Sequence, residues 1–291
     1  MVIMKSLKET SSEGYTYVTS KRRRNRRYKG HPGPVKSDVA SKQSFTKDLM
    51  DEIQNELKCS QFFINFKQNL LSVIEESRKS SELSSNTLDS SDFIKSANNE
   101  NINSIKGTDI VCYGLGKFFS CPIARYQLGF LTALQHDLQT ENVYIYDPQF
   151  STEENTFLEN LGFEIIKINE QAVRSVNCKT IFFMPHCELP LYNNLLWSNW
   201  NVNSLLKLII IGNSFHSYDC RTKLEKKAKY VYLANSFLNE IKIANDFRFT
   251  DVFNDLSIHY FKSEALSDVP ADVWSQAEKP EYSDEELIKL I

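Results

Sequence analysis

Within residues 44–78, apolar side chains recur at a spacing of three to four: Phe45, Leu49, Ile53 and Leu57, then Phe62, Phe63, Phe66, Leu70, Leu71 and Ile74. That period lines them up on one face of a helix. The pair Cys59-Ser60 interrupts the stripe, so the pattern predicts two helices, or one broken there, with Ser44 suited to the N-cap. From Thr108 onward the texture changes. Short continuous apolar runs at 110–113, 143–146, 165–168, 181–184, 208–211 and 256–261 alternate with helical stretches at 122–138, 152–161 and 192–200. Unbroken apolar strands separated by helices indicate a parallel sheet covered on both faces. With right-handed crossovers, the expected fold class is α/β: a Rossmann-like, doubly wound, mostly parallel sheet of central order 3-2-1-4-5, preceded by an N-terminal helical extension.

Polar stretches set the boundaries. Residues 1–43 form a basic leader, expected to be disordered because "GHPGP" at 30–34 forbids regular structure. The amphipathic helices occupy 44–78. A Ser- and Asn-rich linker at 79–107 cannot bury enough apolar area to offset its ordering entropy. The sheet domain spans 108–262, and an acidic tail containing "SDEEL" fills 263–291. No repeat of fixed period is present.

Composition narrows the class. With 41% hydrophobic residues in 291, the chain can fill one sizeable domain plus extensions, but not two. No window reaches the roughly 18 apolar residues of a membrane span, and "MVIMKSLKET" is too short an apolar run for a secretion signal. No membrane association is expected; the cytoplasm, with the nucleus as a second compartment, is the expected location. Six cysteines (Cys59, Cys112, Cys121, Cys178, Cys187, Cys220) lack CxxC pairing, and several sit in apolar runs, so reduced thiols and no zinc site are expected. The formal net charge of -3 conceals the block "KRRRNRRYKG". It reads as a nuclear-import address, as a weak nucleic-acid contact through 21–29, or as a solvated leader.

Candidate chemistry gathers after the strands. Gly114-Leu115-Gly116 follows the first strand, and the next helix starts near Pro122 with Ser120 or Cys121 as its cap. A nucleotide or an adenosylmethionine-like ligand would meet backbone N–H groups there. Phe119 stands where the third glycine of the dinucleotide fingerprint belongs, and Cys112 where adenosylmethionine enzymes carry an acid. Asp147, closing the second strand in "VYIYDPQF", is placed to hydrogen-bond a ribose. Tight turns alone would also explain both glycines.

The loops after the fourth and fifth strands are Pro185-His186-Cys187 and Gly212-Asn213-Ser214-Phe215-His216, and the strand order predicts that both converge on the glycine turn. The cofactor-binding candidates are therefore Gly114, Gly116, Asp147, His186, Asn213 and Ser214; the catalytic candidates are His186, Cys187 and His216. With Asp219 these residues have the elements of a metal site or a Cys–His nucleophile. Neighbours such as His186 and Cys187 rarely aim both side chains at one point, so no metal is expected. The competing reading has the histidines tying the two loops together through backbone hydrogen bonds, with Asn213 forming a turn. His259, inside the last strand, reads as structural. Cys121-Pro122 matches a dipeptide that some haem-sensing proteins use, although Pro122 already serves to start a helix.

The stretches "YGLGKF", "YDPQF", "LGF", "FFMPHC" followed by "LYNNLLWSNW", and "IGNSF" occur in that order. Together they resemble the sensitivity-to-red-light-reduced family of eukaryotic proteins, whose animal members are called SRR1-like-domain proteins, over residues 44–261. The resemblance implies a cytoplasmic and nuclear regulator associated with circadian-clock input and, in animals, with control of haem biosynthesis. It brings no settled reaction. The family-like positions are Gly114, Gly116, Asp147, Pro148, Pro185, His186, Cys187, Gly212, Asn213 and Ser214, and "KRRRNRR" is in keeping with the arginine-rich start of animal members. Three functions follow, in order of expectation. The first is a regulatory protein with a small-ligand or nucleotide crevice. The second is a scaffold that binds a protein partner through helices 44–78 or "LLWSNW". The third is a methyltransferase-like or Cys–His enzyme with His186 or His216 as general base and Asn213 or a loop amide stabilising negative charge.

Overall fold

The computed structural model describes residues 45–83, 107–140, 142–219, 224–275 and 277–283. The basic leader, most of the linker and the end of the acidic tail lie outside the described residues, as does Ser44.

The chain opens with α1 (Lys47–Cys59) and α2 (Gln61–Leu83). The break falls where the apolar stripe is interrupted: the Ser60 hydroxyl donates to Leu57 O at 2.6 Å and accepts the Phe63 N–H at 3.2 Å, closing one helix and starting the next. The N-cap of α1 is Thr46 rather than Ser44, its hydroxyl accepting the Leu49 N–H. Helix α2 runs past residue 78 into the Ser-rich segment, because extending a formed helix costs little and serine tolerates it.

Next come β1 (Asp109–Tyr113), α3 (Pro122–Leu138), β2 (Val143–Tyr146), α4 (Thr152–Asn160), β3 (Glu164–Ile165), β4 (Thr180–Met184), α5 (Leu189–Ser198), α6 (Val202–Leu205) and β5 (Leu208–Asn213). Three short helices, α7 (Phe215–Asp219), α8 (Leu224–Lys227) and α9 (Lys229–Ala234), lead to β6 (Leu238–Lys242), β7 (Leu256–Phe261), α10 (Ser263–Ser267) and α11 (Ala271–Ser275). The sheet order is β3-β2-β1-β4-β5-β7-β6. Strands β3 to β5 pair in parallel in the expected central order, which makes the domain Rossmann-like. Three details differ from expectation. The last apolar run, β7, pairs antiparallel with β5. An unforeseen strand, β6, pairs antiparallel with β7 at the sheet edge. The third strand is only two residues long: it is an edge strand, and Ile168 is 69% exposed.

Alternation along the strands builds two cores. Ile110, Cys112, Ile181, Phe183, Ile209 and Ile211 face α1, α2 and α3, where Phe130 stacks on Phe183 and Phe62 on Phe253. Val111, Phe182, Met184, Leu208 and Ile210 face α5 and α9, around Tyr192, Trp200 and Tyr230. Helix α1 presses on α3 at Gly129, where a Cβ would lie 2.6 Å from Ile53 Cγ2. The apolar stripe of the N-terminal helices is thus one layer of the core, and is not available to a partner. The "LLWSNW" face is covered as well. Trp274 of α11 packs against Trp200, whose indole N–H donates to Val273 O at 2.9 Å, and the Tyr282 hydroxyl donates to Asn194 Oδ1 at 2.7 Å.

Candidate functional site

Strands β1 and β4 are neighbours, yet the chain leaves them toward opposite faces: β1 leads to α3 in one core and β4 to α5 in the other. Such a split opens a crevice outside the carboxyl ends of the strands. Here it is a cavity of about 210 Å³ lined by Tyr113, Gly114, Gly116, Asp147, His186 and Cys187, with Glu188 and Leu191 from the start of α5 and Asn169 and Gln171 from the β3–β4 connection. At Gly114 the backbone turns with φ 71°, and a Cβ would lie 2.6 Å from Cys187 Sγ. Glycine is required there both for the left-handed turn and for the approach of the sulfur.

The glycine turn is closed by the protein's own acid. The Gly116 N–H donates to Asp147 Oδ2 at 2.7 Å, and the Gln149 N–H to Asp147 Oδ1 at 2.8 Å. Burial pushes the Asp147 carboxyl up, these two N–H groups oppose that, and the charge of Glu154 adds to the rise. Phe119 does not line the crevice. Its ring packs with Phe45 and Phe157, while its N–H donates to Glu154 Oε1 at 2.8 Å. Arg125 ties the same segment down through Phe118 O and Phe119 O. Helix α3 then begins with Cys121 as its N-cap and Pro122 in its first turn, as expected.

His186 sits at φ 58°, its N–H donating to Asn213 Oδ1 at 3.0 Å. Its Nε2 lies 3.2 Å from Val252 O; a carbonyl only accepts, so Nε2 carries the proton. The Asn213 amide donates to Cys187 O and to the Tyr218 hydroxyl, splinting the loop from behind. Ser214 is buried beneath, its hydroxyl accepting the Ser217 N–H. His216 turns away: its Nδ1 lies 2.6 Å from Glu240 Oε2, and it does not line the cavity. Of the cofactor-binding candidates, Gly114, Gly116, Asp147 and His186 therefore line the crevice, while Asn213 and Ser214 support it. The two loops are tied together by the Asn213 side chain, not by His216.

Cys187 is arranged as a packed thiol, not as a nucleophile. Its Sγ donates to Tyr113 O at 3.2 Å, and burial, followed by the charges of Asp147 and Glu188, pushes the thiol up. Cys112 is raised by burial in the same way. With His186 engaged by Val252 O, the Cys–His pairing is not formed. Among the described residues no group of three or more His, Cys, Asp or Glu is disposed to hold a metal.

Several lining residues escaped the sequence reading. The Tyr113 hydroxyl donates to Glu170 Oε2 at 2.5 Å, fastening the β3–β4 connection over the crevice. That connection turns through Gln171 (φ 50°) and Ala172 (φ 58°), so "INEQAV" carries no glycine to announce it. Glu188, the N-cap of α5, was detectable only as a residue two positions after His186.

A family model described as the SRR1 domain matches residues 70–260, from within α2 to β7. The chain belongs to the SRR1-domain family. An SRR1-like protein of Mus musculus is 47% identical over 114 residues, covering 38% of this chain and 46% of the mouse protein. Protein SENSITIVITY TO RED LIGHT REDUCED 1 of Arabidopsis thaliana is 34% identical over 168 residues, covering 55% of this chain and 61% of the plant protein. The chain thus matches about half to three-fifths of the length of these relatives. The crystal structure of Thermoplasma acidophilum 1320 is similar over 53% of this chain and 74% of that one, at 12% identity and a TM-score of 0.26, a likeness that carries no functional argument. The SRR1 domain contains the entire crevice, since every lining residue falls within the matched span.

Proposed function

We propose that this SRR1-family protein is a regulator in light- and clock-input signalling whose crevice holds a small ligand. The observation that carries the reading is the cavity at the split between β1 and β4, with its walls held by Asp147, Asn213 and Tyr113 and without an activated nucleophile. The name of the Arabidopsis relative supports the light-signalling part. At about 210 Å³ the cavity is smaller than the roughly 300–1,000 Å³ that encloses drug-sized ligands, so it suits a compact molecule or one moiety of a larger one. A role in haem biosynthesis would then be exerted on other proteins, with haem itself lying outside this site. A protein partner would meet the polar faces of α1 and α2, and the protein would work in the cytoplasm and the nucleus.

Thermal-shift and calorimetric screening of the full chain against nucleosides, nucleotides, adenosylmethionine and putrescine tests the ligand reading. A ligand present at 100 times its Kd stabilises by about 2.7 kcal/mol, on the order of 5–10 °C for a domain of this size. Gln149, exposed at the rim, is the residue to enlarge: Gln149→Trp is expected to leave the melting temperature unchanged and to remove the ligand response. Flat responses across the whole set would end the reading.

A further inference from the structure

We propose that the crevice selects a small cationic molecule without phosphate, one that carries an ammonium or similar group, and discriminates against nucleotides. The inference rests on the reading of the crevice as a ligand site and names the chemical class of the ligand.

Phosphate recognition at a strand-to-helix turn depends on backbone N–H groups that point at the ligand. Four of those groups have protein acceptors here. The Gly114 N–H donates to Tyr146 O at 3.3 Å, those of Gly116 and Gln149 to Asp147, and that of His186 to Asn213. Pro122, in the first turn of α3, has no N–H to offer. Arg125, in the same turn, is engaged by the carbonyls of Phe118 and Phe119.

The charges point the same way. The described residues lining the cavity include the carboxylates of Asp147 and Glu188 but no lysine or arginine. Arg174, which bears on the Tyr113–Glu170 contact, is itself held by both carboxylate oxygens of Glu170 at 2.9 and 3.0 Å. A phosphate entering the crevice would meet two like charges and no counter-charge, whereas an ammonium would meet two opposite ones.

The remaining hydrogen-bonding capacity is that of acceptors. Each Asp147 oxygen accepts one N–H and retains a lone pair. His186, protonated at Nε2 by its bond to Val252 O, keeps Nδ1 as an acceptor when neutral. Tyr113 and Tyr146 also line the cavity, and aromatic rings favour cations. Burial opposes ionisation of Asp147, and an adjacent cation would relieve that opposition.

The test is calorimetry on the full chain at pH 7.5 with four probes: putrescine and adenosylmethionine as cations, adenosine as the neutral reference, and ADP as the anion. At least one cation is expected to bind, with ADP at least tenfold weaker than adenosine. Glu188→Gln, at an exposed position, is expected to weaken the cation about fivefold while leaving the thermal melt unchanged. Binding of ADP as tight as adenosine, or a cation affinity indifferent to Glu188→Gln, overturns the inference. If adenosine or ADP binds, is lost in Gln149→Trp, and no cation binds, the inference fails and the ligand site stands. If none of the four binds, both fail together.

Discussion

Two carboxylates of one sheet, near opposite sides of it, have opposite electrostatic fates. Asp147, at the end of β2, receives two backbone N–H groups, has the negative Glu154 nearby, and is pushed up by burial. Glu240, on β6, is also buried, and burial alone would raise it. His259, Ser214 and His216 outweigh that and hold it well below the usual carboxylate range, with Ser257 donating to Oε1 at 2.9 Å. The His259 Nε2 stands 3.5 Å from Glu240, too far for a good hydrogen bond. The comparison separates two uses of a buried acid. Glu240 is saturated, so it acts as a fastener between β5, β6 and β7; Asp147 is under-compensated, which leaves it responsive to whatever enters the crevice.

Removing the fastener should have the largest effect. Glu240→Ala removes the acceptor that Ser257, Ser214 and His216 share, and each buried donor left without a partner costs about 1–3 kcal/mol. Urea unfolding at neutral pH measures it, and a loss below 1 kcal/mol would erase the contrast. The pH dependence carries the matching sign. Because the folded state depresses Glu240, its contribution is present above the unfolded value near 4.5 and is lost as pH falls below that toward the folded value; the variant should lose less stability over that acid range than the parent. For Asp147, the raised carboxyl means the fold favours its protonated form, so the linked stability declines as pH rises through the folded value.

A smaller loss is expected for Asp147→Asn. One amide oxygen can accept only in part what two carboxylate oxygens do, and its NH2 would face a backbone donor, at about 1–2 kcal/mol. Denaturant titration beside Glu240→Ala ranks the two acids, and equal losses would show Asp147 to be as structural as Glu240. The smallest effect belongs to His216→Ala. Its ring is 64% exposed although it touches Glu240, so about 0–1 kcal/mol is expected in the same assay. A loss comparable with that of Glu240→Ala would make His216 part of the fastener.

What the chain declared in advance follows from burial on two faces. Strands β1, β2, β4 and β5 lie deep in the sheet and read as apolar runs, so their order could be argued from periodicity and handedness. Strand β6 could not, because "LNEIK" is half-buried, carries two charges and pairs on one side only. Ile166 and Ile168 resemble core but border an edge, which is why the third strand seemed longer than it is. Gly114, Gly116, Asp147 and His186 line one cavity because strand ends meet there. His216 was misplaced because α7 starts one residue earlier and turns it toward β6, a strand that had not been foreseen.

The cover over α5 bears on how fragments of this protein should be cut. The matched family segment ends at residue 260, but the physical wall of the second core does not: Val273, Trp274 and Tyr282 still shield the indole of Trp200 and the amide of Asn194. A fragment stopped at the family boundary would bare an aromatic surface and invite self-association, so a soluble excised domain should extend beyond Tyr282.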